Sequence, residues 1–293
     1  MRVHLLDGTY ELFRHFYAMP RHQDQGGREV AAIIGVVGSV LGMLEGGTTH
    51  LGVATDHVIE SFRNDLWAGY KTSEGIEPEL LAQFHPLEDA LRAMGVRVWA
   101  MEEFEADDAL AAAAAKAAAV PDVEQVIICT PDKDLSQCVR DQRIVQFDRR
   151  KRELRDESGV VARFGVGPAS IPDYLALVGD SADGFPGVPG WGEKASGAIL
   201  GRYAHLERIP ANHAQWEVPV RGAARLAAAL AEHRELAILF RTLATLRTDV
   251  PVFDDIAELR WRGPTPPFER VAQQLGVTGL WDRARRIPLT DAP

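Results

Sequence analysis

Five short apolar runs constrain the fold most: "VHLLD" (3–7), "HLGVATD" (50–56), "VRVWAME" (96–102), "QVIICTPD" (125–132) and "RIVQFD" (143–148). Their apolar residues are continuous rather than alternating, which suits strands covered on both faces of a parallel sheet. Helical patterns lie between them, over 31–46 and 78–95 and in the nearly pure alanine stretch 109–119. Alternating strands and helices imply an α/β domain with right-handed crossovers. Alanine is the best helix former, so the alanine run is expected to be ordered helix.

Near residue 150 the character changes. "DRRKRELRDESG" reads as a charged link or hairpin, and helices broken by Gly and Pro follow it. Only "PVFDD" (251–255) offers a further strand. Two domains are expected, 1–163 and 164–293. The chain has 293 residues, 46% of them apolar, enough for a sizeable core. No apolar run has the length that spans a bilayer, and the N-terminus lacks a secretory signal pattern. A cytoplasmic monomer is the expectation. Cys129 and Cys138 make no metal or disulfide pattern, and the histidines are scattered.

Each apolar run ends on or just before an acid, and in open α/β sheets sites form at the carboxyl ends of the strands. Asp7 and Asp56 close two of the runs. Asp132 and Asp134 follow a third, two residues apart. "EFEADDALA" places Glu105, Asp107 and Asp108 at the start of the alanine helix, and "GDSADGFPG" adds Asp180 and Asp183. Two readings of "EFEADDALA" stay open, helix capping and metal binding. Taken together, nine ionised carboxylates would raise one another's pKa values unless cations joined them. An all-oxygen set suits hard cations, so two Mg²⁺ or Mn²⁺ ions are expected and zinc is not. Ions roughly 4 Å apart would fit phosphodiester cleavage.

The net charge of −10 argues against a nucleic-acid partner when taken alone. With those nine acids set aside as metal-neutralised, the remainder is nearly balanced and can carry a basic face. "GVPGWGEKAS" (187–196) leads into a helix, where the backbone N–H groups of Gly190 and Gly192, with Lys194, are placed to meet a phosphate.

As a set, "LLDGT", "EFEADDALA", "TPDKDLSQCV" and "YLALVGDSADGFPGVPGWGEKAS" closely resemble the bacterial 5′-nuclease family of flap endonucleases and 5′–3′ exonucleases, over residues 3 to about 205. The resemblance implies a PIN-like parallel-sheet nuclease core and a mostly helical, helix–three-turn–helix DNA-binding domain. It implies two divalent ions held by Asp7, Asp56, Glu105, Asp107, Asp108, Asp132, Asp134, Asp180 and Asp183. The segment "SFRNDLWAGYK" matches the family's, giving Arg63, Tyr70 and Lys71. Lys71 is then expected at the scissile phosphate and Tyr70 on a base, with Arg14 a basic position on the first helix. Asp7, Arg63, Lys71 and Asp134 are the expected catalytic set. The resemblance further implies K⁺ on backbone carbonyls of the 187–193 loop. The implied substrate is DNA with 5′ flaps, nicks or ends, with RNA–DNA duplexes a further class.

Three positions depart from the family pattern: Glu74 where a basic residue is common, Pro131 for a usual Gly, and Gly184 for a usual Asn. None deletes a metal ligand. A second reading is a non-catalytic binder of branched DNA. A phosphatase built on "LLDGT" is rejected, because position 5 is Leu where a nucleophilic Asp is needed.

Overall fold

The computed structural model describes residues Met1–Leu289. The chain forms two compact units. One comprises residues 1–59, 73–130 and the chain from 248 onward; the other comprises 60–72 and 131–247.

In the first unit, β1 (Arg2–Asp7), β2 (His50–Asp56), β3 (Arg97–Met101) and β4 (Gln125–Cys129) form a parallel sheet in the order β3-β2-β1-β4. Leu5 lies opposite Gly52 on one side and Ile128 on the other. β2 is buried along its whole length, as its unbroken apolar run requires. The alanine helix Ala106–Ala118 packs on all four strands, and Ala109 to Ala114 are buried. Methyl side chains let its backbone lie close to the sheet. Gly52 serves a similar end: a Cβ there would sit 2.2 Å from the Trp99 ring.

Two expectations change here. The expected helix 78–95 is broken into Pro78–Leu81 and Phe84–Ala93. At the break Gln83 is buried, accepting from the Ile33 N–H at 3.3 Å and donating to the Glu79 carbonyl at 3.1 Å. "PVFDD" is not a strand. Its Val252 carbonyl is taken by the Trp99 indole N–H and by Arg97, which is why an apolar pair is buried without joining a sheet.

The second unit contains β5 (Ile144–Asp148) and β6 (Glu153–Arg155), an antiparallel hairpin where a link or hairpin was expected. The rest is helical, including Phe62–Leu66, Ile171–Val178, Glu193–Tyr203, Ala223–Glu232 and Arg234–Ala244. Its core holds Leu175, Leu177, Phe185, Ile199 and Phe240. Phe185 stacks on Phe240 at 5.6 Å between centroids, and Trp67 meets Phe240 edge-on at 5.3 Å. Among the described residues no helix is long and apolar enough to cross a membrane.

Candidate metal centre

In the first unit, parallel pairing sets Asp7 opposite Ala54, so Asp7 and Asp56 leave the sheet at the same edge. Both are nearly buried. The Asp7 carboxylate accepts from the Tyr10 N–H at 2.8 Å, capping the helix Gly8–Ala18, and from the Thr130 hydroxyl at 3.0 Å. Asp56 accepts from the Ala106 N–H at 2.8 Å, at the start of the alanine helix. Glu105 and Asp108 form a reciprocal capping box on that helix, and Asp107 is half-buried beside them. The capping reading of "EFEADDALA" therefore describes Glu105 and Asp108. The helix N-terminus also draws Asp56 in, through the same favourable N–H groups and dipole.

The second unit gathers its acids more tightly. Asp132 accepts from the Asp134 N–H at 2.9 Å, opening a 3-10 turn over Asp134–Cys138. Buried Gln146 on β5 donates to the Asp132 carbonyl and accepts from the Ser136 hydroxyl at 2.9 Å. Asp180 and Phe185 exchange backbone bonds of 2.8 and 3.0 Å, closing the turn that presents Asp183. Gly184 in this turn has φ +83°, and a Cβ would lie 2.0 Å from the Gly69 carbonyl oxygen. That close approach is why Gly stands where the family usually has Asn.

Oxygens of Asp134, Asp180 and Asp183 lie within 4.8 Å of one another. Asp134 is buried, and one of its oxygens has no hydrogen-bond partner. Burial, then the charges of Asp132, Asp183 and Asp180, push its carboxyl well above the usual range, against the opposing pull of Lys133. Two ammonium groups partly answer this charge. Lys133 pairs with Asp180, and Lys71 lies 3.0 Å from Asp183. Burial disfavours the Lys133 charge, but Asp180 and its acidic neighbours hold its pKa above the ordinary value. The donor set is all oxygen, and a buried oxygen is left over. Both features fit a hard divalent cation.

Other expected residues are placed differently. Arg63 is fully buried, donating to the carbonyls of Leu243 at 2.7 Å and Thr245 at 3.2 Å. It fastens the backbone of its own unit. Tyr70 is in the core of the same unit. Arg14 pairs with buried Glu11. Gly190 has φ +85°, Gly192 caps the helix Glu193–Tyr203, and Lys194 is exposed in its first turn. Sequence reasoning passed over Lys133, although "PDKD" displays it. It also missed buried Glu88, which accepts from the Thr55 hydroxyl at 3.0 Å and meets His57 at 2.9 Å, on either side of Asp56. No spacing in the sequence announces that link.

Comparison with known proteins decides the family. The model of the 5′-3′ exonuclease N-terminal resolvase-like domain matches residues 2–165, and that of the 5′-3′ exonuclease C-terminal SAM fold matches 166–267. The chain belongs to the 5′-3′ exonuclease family. A 5′-3′ exonuclease of Buchnera aphidicola is 31% identical, over 85% of this chain and 82% of its own length. DNA polymerase I of Pseudomonas aeruginosa is 37% identical over 87% of this chain, which spans only 28% of that polymerase's length. The fold of this 5′-3′ exonuclease family member matches that of T5 5′-exonuclease bound to divalent zinc, with TM-score 0.64, 16% identity and 98% of each chain covered. It also matches the Rad2 catalytic core in complex with DNA substrate, with TM-score 0.63, 16% identity, 99% of this chain and 92% of that one.

Proposed function

We propose that this chain is a divalent-metal-dependent 5′ nuclease that hydrolyses DNA phosphodiesters as a 5′–3′ exonuclease and flap endonuclease. The convergence of Asp134, Asp180 and Asp183, with a buried Asp134 oxygen left unpartnered, carries the reading. Family membership and the DNA named for the Rad2 complex support it. In this reading Asp134, Asp180 and Asp183, with Asp132, hold one Mg²⁺ or Mn²⁺ ion. Asp7, Asp56, Glu105, Asp107 and Asp108 hold another. Such ions supply an activated water and offset phosphate charge.

This chain's own contribution is positional. Lys71 is the cation assigned to the scissile phosphate, where it would offset charge developing on the leaving oxygen. Gly190, Gly192 and Lys194 are assigned to duplex phosphate, with K⁺ on carbonyls of the 187–193 loop and Arg14 a further basic contact. Residues 1–163 are assigned to the nuclease core and 164–293 to duplex binding. A cytoplasmic monomer acting on flaps, nicks, 5′ ends and RNA–DNA duplexes completes the proposal.

The experiment is cleavage of labelled flap, nicked and RNA–DNA substrates with Mg²⁺, Mn²⁺ or EDTA. Asp134→Ala and Asp183→Ala are expected to abolish cleavage and leave the fold intact. Full cleavage by both would overturn the site, and binding without cleavage by the parent protein would favour the non-catalytic binder.

A further inference from the structure

The turn of the β5–β6 hairpin consists of Arg149, Arg150, Lys151 and Arg152, in a chain whose net charge is −10. Strand pairing ends at Asp148 opposite Glu153, so basic residues fill the whole loop. The loop has a fixed shape. The Asp148 carboxylate accepts from the Arg150 and Lys151 N–H groups, both at 3.0 Å. Arg150, Lys151 and Arg152 are exposed, and no acid among the described residues pairs with Arg150 or Arg152. Arg152 has φ +55°, where Gly or Asn would be relaxed. A cation is thus kept at a position where the backbone disfavours it, among like charges that repel it.

The hairpin is also anchored. Gln146 is fully buried on β5 and ties the strand to the Asp132 carbonyl, to Ser136 and to Arg155 at 2.8 Å. The basic turn is therefore held by the same side chain that holds the Asp132–Asp134 segment. Only Gln146 to Asp148 are extended, and Arg149 to Arg152 form the turn beyond them.

We propose that the Arg149–Arg152 turn is a clamp for nucleic-acid backbone phosphates, gripping the duplex away from the phosphate at the Asp134 group. The inference rests on the nuclease reading and adds a contact that sets the register of the bound strand. It reads phosphate and not base identity, because a cationic turn offers charge without a fixed base-reading pattern.

The test is Arg150→Gln/Lys151→Gln/Arg152→Gln in the full chain, with a flap duplex bound in EDTA across a salt series. Each phosphate contact contributes about 0.9 to the slope of log K against log salt, so the triple variant is expected to lose about 2 to 3 from that slope. The charge-keeping variant Arg150→Lys/Lys151→Arg/Arg152→Lys is expected to retain it, and both are expected to melt as the parent does. A methylphosphonate scanned along the duplex backbone should reveal a position that weakens binding of the parent and leaves the triple variant unaffected. Parental slope and affinity in the triple variant would overturn the clamp and leave a solvated turn. Failure of the nuclease reading is separable: it appears as no cleavage by the parent protein, whereas the salt slope is read without cleavage.

Discussion

Asp134 is the residue at which burial and charge conflict most. Its raised pKa means that the folded, metal-free protein holds this proton more tightly than the unfolded chain does. The sign follows: the group favours folding at low pH, and that contribution is lost as pH rises from the ordinary carboxylate range through the raised folded value. Asp134→Asn is therefore expected to melt a few degrees above the parent in EDTA at neutral pH, with a gap that closes toward about pH 5. The same variant is expected to lose the melting rise that Mg²⁺ gives the parent; melting curves in EDTA and Mg²⁺ check both. Arg63 poses the opposite case. Its removal as Arg63→Met would strand the buried Leu243 carbonyl at about 1–3 kcal/mol and free the Thr245 carbonyl, so the loss is expected in denaturant midpoint, with metal affinity unchanged. The sequence displays Arg63 and Tyr70 within a motif, but a motif gives residue type and not burial. Of the acids the sequence singles out, Asp134, Asp180 and Asp183 lie together, while Asp7, Glu105 and Asp108 also serve as helix caps.

Elements were legible where one physical signal dominated. Continuous apolar runs became β1 to β5, and the alanine run became a helix whose small face lies on the sheet. The signal failed where a single side chain overrode the pattern, as Gln83 does in breaking one helix and Trp99 in claiming the Val252 carbonyl. Glu88 shows the same principle at the site. It lies on the helix Phe84–Ala93, and its two oxygens take Thr55 and His57, flanking Asp56 at the end of β2. That helix therefore fixes the strand end that carries a proposed metal ligand. Glu88→Ala would leave a buried hydroxyl and a half-buried imidazole without this partner, costing about 2–3 kcal/mol. Weaker Mn²⁺ affinity by calorimetry is the expected sign that Asp56 has shifted. An unchanged affinity with the stability loss would restrict Glu88 to packing.

At the scale of the molecule, the sequence shows order along the chain but not its return. Among the described residues, the segment from residue 248 onward carries no strand, yet it belongs to the same compact unit as the parallel sheet. Its attachments are long-range: the Trp261 N–H donates to the Thr49 carbonyl at 2.8 Å, and the Trp261 indole donates to the Met94 carbonyl, also at 2.8 Å. Val252 receives Trp99, while Phe253, Leu259 and Phe268 are buried. Contacts across more than a hundred residues leave no periodicity, so no local reading could find them. Their energy is nonetheless large. Burying each large apolar side chain contributes about 1.5–3 kcal/mol, and five such residues reach the order of a whole domain's stability, ~5–15 kcal/mol. A chain ending at Arg247 keeps every acid of both groups, every strand and the basic turn. It is nevertheless expected to lose cooperative melting of the sheet-bearing unit and to expose Trp99, read by a red-shifted indole emission and by rapid proteolysis within residues 73–130. Cooperative melting at the parental temperature in that shortened chain would show that the sheet unit is complete without its returning segment.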